Sequence, residues 1–195
     1  MELQKFTTSR YKSERTSVLL LVDNGSIFTK DIAETLSNSD ITFDQKSFDQ
    51  VNLDDISNYD SFILSGRRNN DPHMNAKNSK IILHAVNEKK NLLGICYGAE
   101  ILALALGGTI RKSSVIRGEH EIISNDNALC NGTKTVFESH SYEISKLGTS
   151  LNSLAESSNC KNEIVKHKEL SIFGTQFHPE MSGDGKQMIT NFVKL

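Results

Sequence analysis

Hydrophobic positions along the chain follow two rhythms. In the first half, short continuous apolar runs alternate with segments of helical spacing. "TSVLLLVD" is apolar on both faces and ends at Asp23-Asn24-Gly25, which predicts a buried parallel strand closed by a turn. "IFTKDIAETLSN" places Ile27, Phe28, Ile32, Ala33 and Leu36 on one helical face. "ITF" and "YDSFILSG" predict a second and a third strand, the latter ending at Ser65-Gly66. "RRNNDPHMN" reads as a polar loop, and "AKNSKIILHAVNEKK" as a helix with Ile81, Ile82, Ala85 and Val86 turned inward. "NLLGI" is a fourth strand, and "AEILALALGG" a helix stopped by Gly107-Gly108.

The second half is made of short alternating segments: "TIRKS", "EHEIIS", "TKTVFESH", "EIVKHKE" and "LSIFGTQF". They predict antiparallel strands added to the edge of the first half's sheet. "GKQMITNFVKL" closes as a helix with Met188, Ile189, Phe192 and Val193 on one side. The β-α-β-α-β order predicts an α/β fold: a mostly parallel central sheet flanked by helices, with antiparallel strands in the second half. With 195 residues and no Pro-rich linker or repeat, residues 1–195 read as a single domain. Residues 1–15 are polar and read as a flexible or peripheral segment rather than a signal peptide.

Composition narrows the function classes. A formal charge of −2 offers no broad surface for nucleic acid or membrane, and no window nears the roughly 20 apolar residues of a membrane span. A cytoplasmic location is the expectation. Three widely spaced cysteines suit neither a disulfide framework nor a zinc site, and no metal is expected. Cys130 and Cys160 sit in polar, loop-like surroundings; Cys96 sits somewhere more specific.

"GICYG" places Cys96 between Gly94 and Gly98, after a strand and before a helix. This is the cysteine version of a nucleophile elbow. Such a turn lifts the side chain clear of the sheet and over a helix N-terminus, where free N–H groups favour a thiolate. The Tyr97 N–H is then placed to donate to an oxyanion. The alternative is a buried structural cysteine. A thiol nucleophile needs a base, and of six histidines His178 stands out. It follows the strand "SIFGTQF", at the strand end where α/β sheets place their chemistry, and Glu180 is near enough in sequence to orient its ring.

"GICYGAEILALALGGTI" with "GTQFHPE" resembles the class I (triad) glutamine amidotransferases, a flavodoxin-like fold, and the likeness covers nearly the whole chain. The resemblance implies that Cys96, His178 and Glu180 form a Cys-His-Glu triad that hydrolyses the glutamine side-chain amide through a γ-glutamyl thioester. It implies oxyanion donors at Tyr97 and at Gly66 or Arg67, and contacts to glutamine from Glu100 and from the His140, Ser141 and Tyr142 segment. It implies a separate synthetase subunit that takes the ammonia. "HKELSIFGTQFHPE" looks most like the glutaminase subunit of two-chain, archaeal-type GMP synthase, whose partner is an ATP-pyrophosphatase. ATP and magnesium would then belong to that partner, with no cofactor in this chain. "ESHSYEI" leans instead toward the glutaminase component of anthranilate or aminodeoxychorismate synthase, and an amidotransferase with another acceptor is a further alternative. A Cys-His hydrolase of another γ-glutamyl compound is a further reading.

Two positions depart from the family's pattern. Its oxyanion loop usually reads Gly-Gly-Pro or Pro-Gly-Pro, and here it reads Gly66-Arg67-Arg68. It usually has Gln where this chain has Glu100, and an ionised carboxylate accepts hydrogen bonds but cannot donate them. An anion one helical turn from Cys96 also opposes thiolate formation. A salt bridge from Arg67 or Arg68 to Glu100 would relieve both. The departures also admit a catalytically altered, regulatory member that keeps the fold.

Overall fold

The computed structural model describes residues 17–39 and 41–195, so the N-terminal segment lies outside it. Among the described residues, nine strands form one sheet in the order β2-β1-β3-β4-β9-β8-β7-β5-β6. Its first part is the predicted parallel core. β1 (Val18–Asn24) pairs in parallel with β2 (Thr42–Ser47) and β3 (Ser61–Arg67), and β3 pairs with β4 (Asn91–Ile95). Leu20, Leu21, Phe62, Ile63 and Leu64 are fully buried because helices cover both faces of these strands. Those helices are α1 (Thr29–Ser37), α2 (Pro72–Asn87), α3 (Tyr97–Ala105) and α4 (Gly183–Phe192).

β9 (Ile172–Thr175) corrects the sequence reading. It is not an antiparallel edge strand: it runs parallel to β4 on one side and antiparallel to β8 (Ile164–His167) on the other. All four of its residues are buried, so it joins the two halves of the sheet. Beyond it, β7 (Leu151–Glu156), β5 (Thr109–Ser124) and β6 (Gly132–Lys146) are antiparallel. "TIRKS" and "EHEIIS" are one strand, broken in register between Lys112 and Ile116. "TKTVFESH" likewise runs on through "SYEISK". β7 carries no clear sequence signal, because Asn152 and Ser153 interrupt its apolar alternation.

α2 begins inside the stretch read as a loop. Asp71 caps it by accepting from the N–H groups of His73 (2.7 Å) and Met74 (3.2 Å), and Pro72 occupies the first turn. Cys160 lies in a loop, as its surroundings suggested, but is buried, 2% exposed. No helix among the described residues is long and apolar enough to cross a membrane.

Candidate active site

The elbow forms where β4 meets α3. Cys96 occupies the N-cap position with φ 49° and ψ −102°, so the strained conformation falls on the cysteine itself. The flanking glycines serve close approach instead. A Cβ on Gly94 would lie 2.4 Å from the Gly98 carbonyl, and one on Gly98 would lie 2.4 Å from the Leu64 carbonyl oxygen. The turn is pinned by the Cys96 N–H donating to the Thr175 carbonyl at 2.7 Å. The Cys96 carbonyl accepts from Ala99 and Glu100, both at 3.0 Å. At the first helical position, the Tyr97 N–H has no partner within the helix and faces the same end as the thiol.

His178 follows β9 and comes to Cys96 from the neighbouring strand. The imidazole lies beside the Cys96 thiol and lowers its pKa. His178 Nδ1 lies 2.8 Å from Glu180 Oε1, which leaves Nε2 for the thiol side. His178 is 4% and Glu180 1% exposed, so both act in a low-dielectric setting. Three contacts unforeseen in the sequence hold the ring. Its N–H backbone group donates to the Phe137 carbonyl at 2.8 Å. Phe28 packs edge-on with centroids 4.9 Å apart. Gly66 leaves room for its Cε1. No pattern in the sequence marks Phe28 or Phe137, since both read as ordinary core positions.

Burial is the largest influence on the Cys96 thiol and pushes its pKa up; Glu100 and Glu180 push the same way, while His178 pulls it down. Burial likewise pulls His178 down, but Cys96 and Glu180 override it and raise the imidazole to about 10. The pair is therefore one coupled unit, in which the imidazolium and the thiolate stabilise each other.

The cleft beside the thiol has a volume of ≈ 290 Å³, at the lower limit of the roughly 300–1,000 Å³ usual for small-molecule sites. Cys96, Tyr97, Glu100, Arg67 and the segment His140, Ser141 and Tyr142 all line it. His178, Glu180 and Gly66 do not line the cleft. The His140 side chain is turned away from the cleft and is 1% exposed, so this residue faces the cleft through its backbone.

The anticipated salt bridge to Glu100 is not formed. Arg67 lies over the Tyr97 ring, 4.3 Å from its centroid, and donates to Asn70 Oδ1 and, at 3.2 Å, to Asn75 Oδ1. Arg68 is exposed at the cleft's rim. Glu100 is 5% exposed and accepts instead from Gln176 Nε2 at 3.4 Å. Burial raises the Glu100 pKa, and Arg67 opposes that only through longer-range attraction. Gln176 carried no local signal for this role: it lies past the end of β9, and its partner Glu100 is on α3.

A family model for glutamine amidotransferase class-I matches residues 20–195. A glutamine-hydrolyzing GMP synthase subunit from Pyrococcus abyssi is 32% identical over 189 residues, which cover 91% of this chain and 98% of that protein. Its counterpart from Pyrococcus furiosus is 36% identical over 124 residues, a match that spans 60% of this chain and 65% of the relative's length. Among solved structures, a Thermoplasma acidophilum protein described as a candidate GMP synthase subunit superposes with a TM-score of 0.83 at 24% identity, over 92% of this chain and 94% of that one. At that identity the superposition establishes the fold. The chain belongs to the class I glutamine amidotransferase family.

Proposed function

We propose that the chain is a glutaminase subunit that hydrolyses the side-chain amide of glutamine and delivers ammonia to a separate synthetase. The observation that carries this reading is a strained, buried Cys96 at a helix N-terminus, beside an imidazole with a carboxylate 2.8 Å behind it.

The chemistry follows from the geometry. His178 holds the thiol proton, and the Cys96 sulfur attacks the amide carbon. The Tyr97 N–H and a backbone N–H at Gly66 or Arg67 stabilise the resulting oxyanion. His178 passes the proton to the departing ammonia, leaving a γ-glutamyl thioester. Water, deprotonated by His178, then releases glutamate and the thiol. Glu180 fixes the ring tautomer and offsets the imidazolium charge. In the cleft, Glu100 accepts from the α-ammonium of glutamine, and Arg68 meets its α-carboxylate. Ser141 and Tyr142 complete the wall with His140.

The likeness to glutamine-hydrolyzing GMP synthase subunits favours an ATP-pyrophosphatase that aminates XMP as the partner. ATP and magnesium act on that partner, in the cytoplasm. The test is glutamate release from glutamine by the purified chain, with and without such a partner and its substrates. Release that disappears in Cys96→Ala supports the reading; no release under any pairing overturns it.

The buried Glu100 favours a second reading, a regulatory member with impaired glutamine binding. Glu100→Gln distinguishes the two. If Glu100 serves the α-ammonium, the variant raises KM for glutamine; if it blocks the site, the variant lowers KM or creates activity.

A further inference from the structure

The two oxyanion donors come from different parts of the chain. The Tyr97 N–H opens α3, and the Gly66-Arg67 segment ends β3. Serving one oxygen from both sides requires a fixed spacing, because a donor is effective only at about 2.7–3.1 Å from the oxyanion. Neither Arg67 nor Arg68 restrains its own backbone as a proline would. The restraint comes from side chains, and it is supplied by one face of α2.

Asn75 of α2 is where the two donor residues meet. Its Oδ1 accepts from the Tyr97 hydroxyl at 2.9 Å and from the Arg67 guanidinium at 3.2 Å. The same guanidinium lies over the Tyr97 ring, 4.3 Å from its centroid. Asn75 Nδ2 donates to Asn70 Oδ1 at 3.2 Å, and Arg67 donates to that oxygen as well. Both donor residues are thus tied through their side chains to one amide. Asn75 does not line the cleft, so it acts on the reaction only through the residues it holds.

Asn78, three residues further on, lies on the same face of α2 and secures the loop from within. Its Nδ2 donates to Asn24 Oδ1 at 2.7 Å and to the Met74 carbonyl at 2.9 Å. Asn24 Nδ2 donates to the Ser65 carbonyl at 3.1 Å. Ser65 Oγ accepts from the Asn24 N–H at 2.9 Å and donates to the Gly66 carbonyl at 2.9 Å. Asn24, Ser65 and Asn78 are all buried. A trans peptide is planar, with its C=O and N–H opposed. Holding the Ser65 carbonyl therefore aims the Gly66 N–H, and holding the Gly66 carbonyl aims the Arg67 N–H. Asn78 sets the direction of the loop donors, and Asn75 sets their distance from the elbow.

We propose that Asn75 is a positioning residue for the oxyanion hole, fixing the spacing of its two backbone donors by holding the Tyr97 hydroxyl and the Arg67 guanidinium on one oxygen. The Arg67 side chain then serves as a strut between α2 and the elbow, not as a partner for Glu100. This role rests on the glutaminase reading.

The experiment measures glutamate release by the full chain, with a synthetase partner where the wild type needs one. Active sites are counted by labelling Cys96 with a diazoketone analogue of glutamine. Per labelled site, Asn75→Leu is expected to lower kcat about tenfold, a fraction of the roughly 100- to 1,000-fold lost with a whole oxyanion donor. Its KM is expected to change by less than about threefold. Tyr97→Phe keeps the backbone N–H and the ring, and is expected to lower kcat about threefold; the double variant matches Asn75→Leu within about twofold, because the contact is already gone. Asn75→Asp, whose carboxylate still accepts from both donors, is expected to return kcat to within about threefold of wild type. A merely structural role would reduce the number of labelled sites and leave kcat per site unchanged, and that result overturns the proposal. A raised KM at unchanged kcat, or an Asn75→Asp no better than Asn75→Leu, overturns it too. Where Asn75→Leu does not fold, unchanged kcat in Tyr97→Phe is sufficient to overturn it. These failures in an active wild type leave the glutaminase reading standing. A wild type that is never labelled and releases no glutamate under any pairing overturns that reading and the positioning role with it.

Discussion

Gly66 makes room for His178: a methyl group on its Cα would lie 2.9 Å from the imidazole Cε1. That is shorter than a van der Waals contact, and the ring is boxed in by Phe28 on another side. Gly66→Ala is therefore expected to displace the imidazole from the thiol. A displacement approaching 1 Å lowers kcat by on the order of 100-fold, with a smaller effect on KM. Steady-state glutaminase kinetics check it. Wild-type kcat would show that the glycine serves strand packing alone.

His178 counters the effect of burial on Cys96, and the sign can be followed with pH. Burial raises the thiol pKa, and the imidazole lowers it. In His178→Gln only the raising influence remains, so thiolate formation shifts to higher pH. Alkylation of Cys96 by iodoacetamide at pH 7 is expected to fall at least about tenfold, which corresponds to about one pH unit, and to recover as pH rises. The half-buried Cys130 in the same protein serves as the internal reference. Equal Cys96 rates at pH 7 in the two proteins would show that the imidazole does not stabilise the thiolate.

The parallel core and the elbow can be read from the sequence because each writes a local signal. Leu19–Val22 and Phe62–Leu64 are continuous apolar runs, and Gly94 and Gly98 mark a backbone approach that no other residue permits. What stays hidden depends on partners distant in the chain. β9 reads as an edge strand because four residues carry no information about whether their neighbour is parallel. Glu138 of β6 and Glu163, just before β8, come together from distant parts of the chain, and nothing local in the sequence marks either as buried. Charge complementarity points from Glu100 to Arg67, and misleads. The structure gives that guanidinium to Tyr97, Asn70 and Asn75, and gives Glu100 to Gln176.

Cys96 stores strain that can be measured. Its φ of 49° is unfavourable for any residue with a Cβ. Cys96→Ala and Cys96→Gly both lack the thiol and differ chiefly in that Cβ. Glycine relieves strain of about 1–3 kcal/mol and gives back about 0.5–1 kcal/mol through unfolded-chain entropy. Cys96→Gly is thus expected to be the more stable by about 1 kcal/mol in chemical denaturation. A less stable Cys96→Gly would mean that the elbow is not strained in solution.

The buried Glu163 makes stability depend on pH with a definite sign. Its carboxyl titrates near 4.5 when exposed and at about 9 in the fold. Between those values the folded state binds the extra proton, so stability from this group falls as pH rises across that window. His178 adds a decline of the same sign. Its pKa rises from 6.5 to about 10, so its contribution is full below pH 6.5 and lost as pH passes through 10. Other carboxylates titrate in both proteins alike, so the difference in Tm between Glu163→Gln and wild type isolates the first effect. That difference is expected to grow in favour of the variant from pH 5 to pH 9 and to level off above. A pH-independent difference would mean that Glu163 is ionised in the native state. The contact with Glu138 would then be a repulsion that some other element of the fold must sustain.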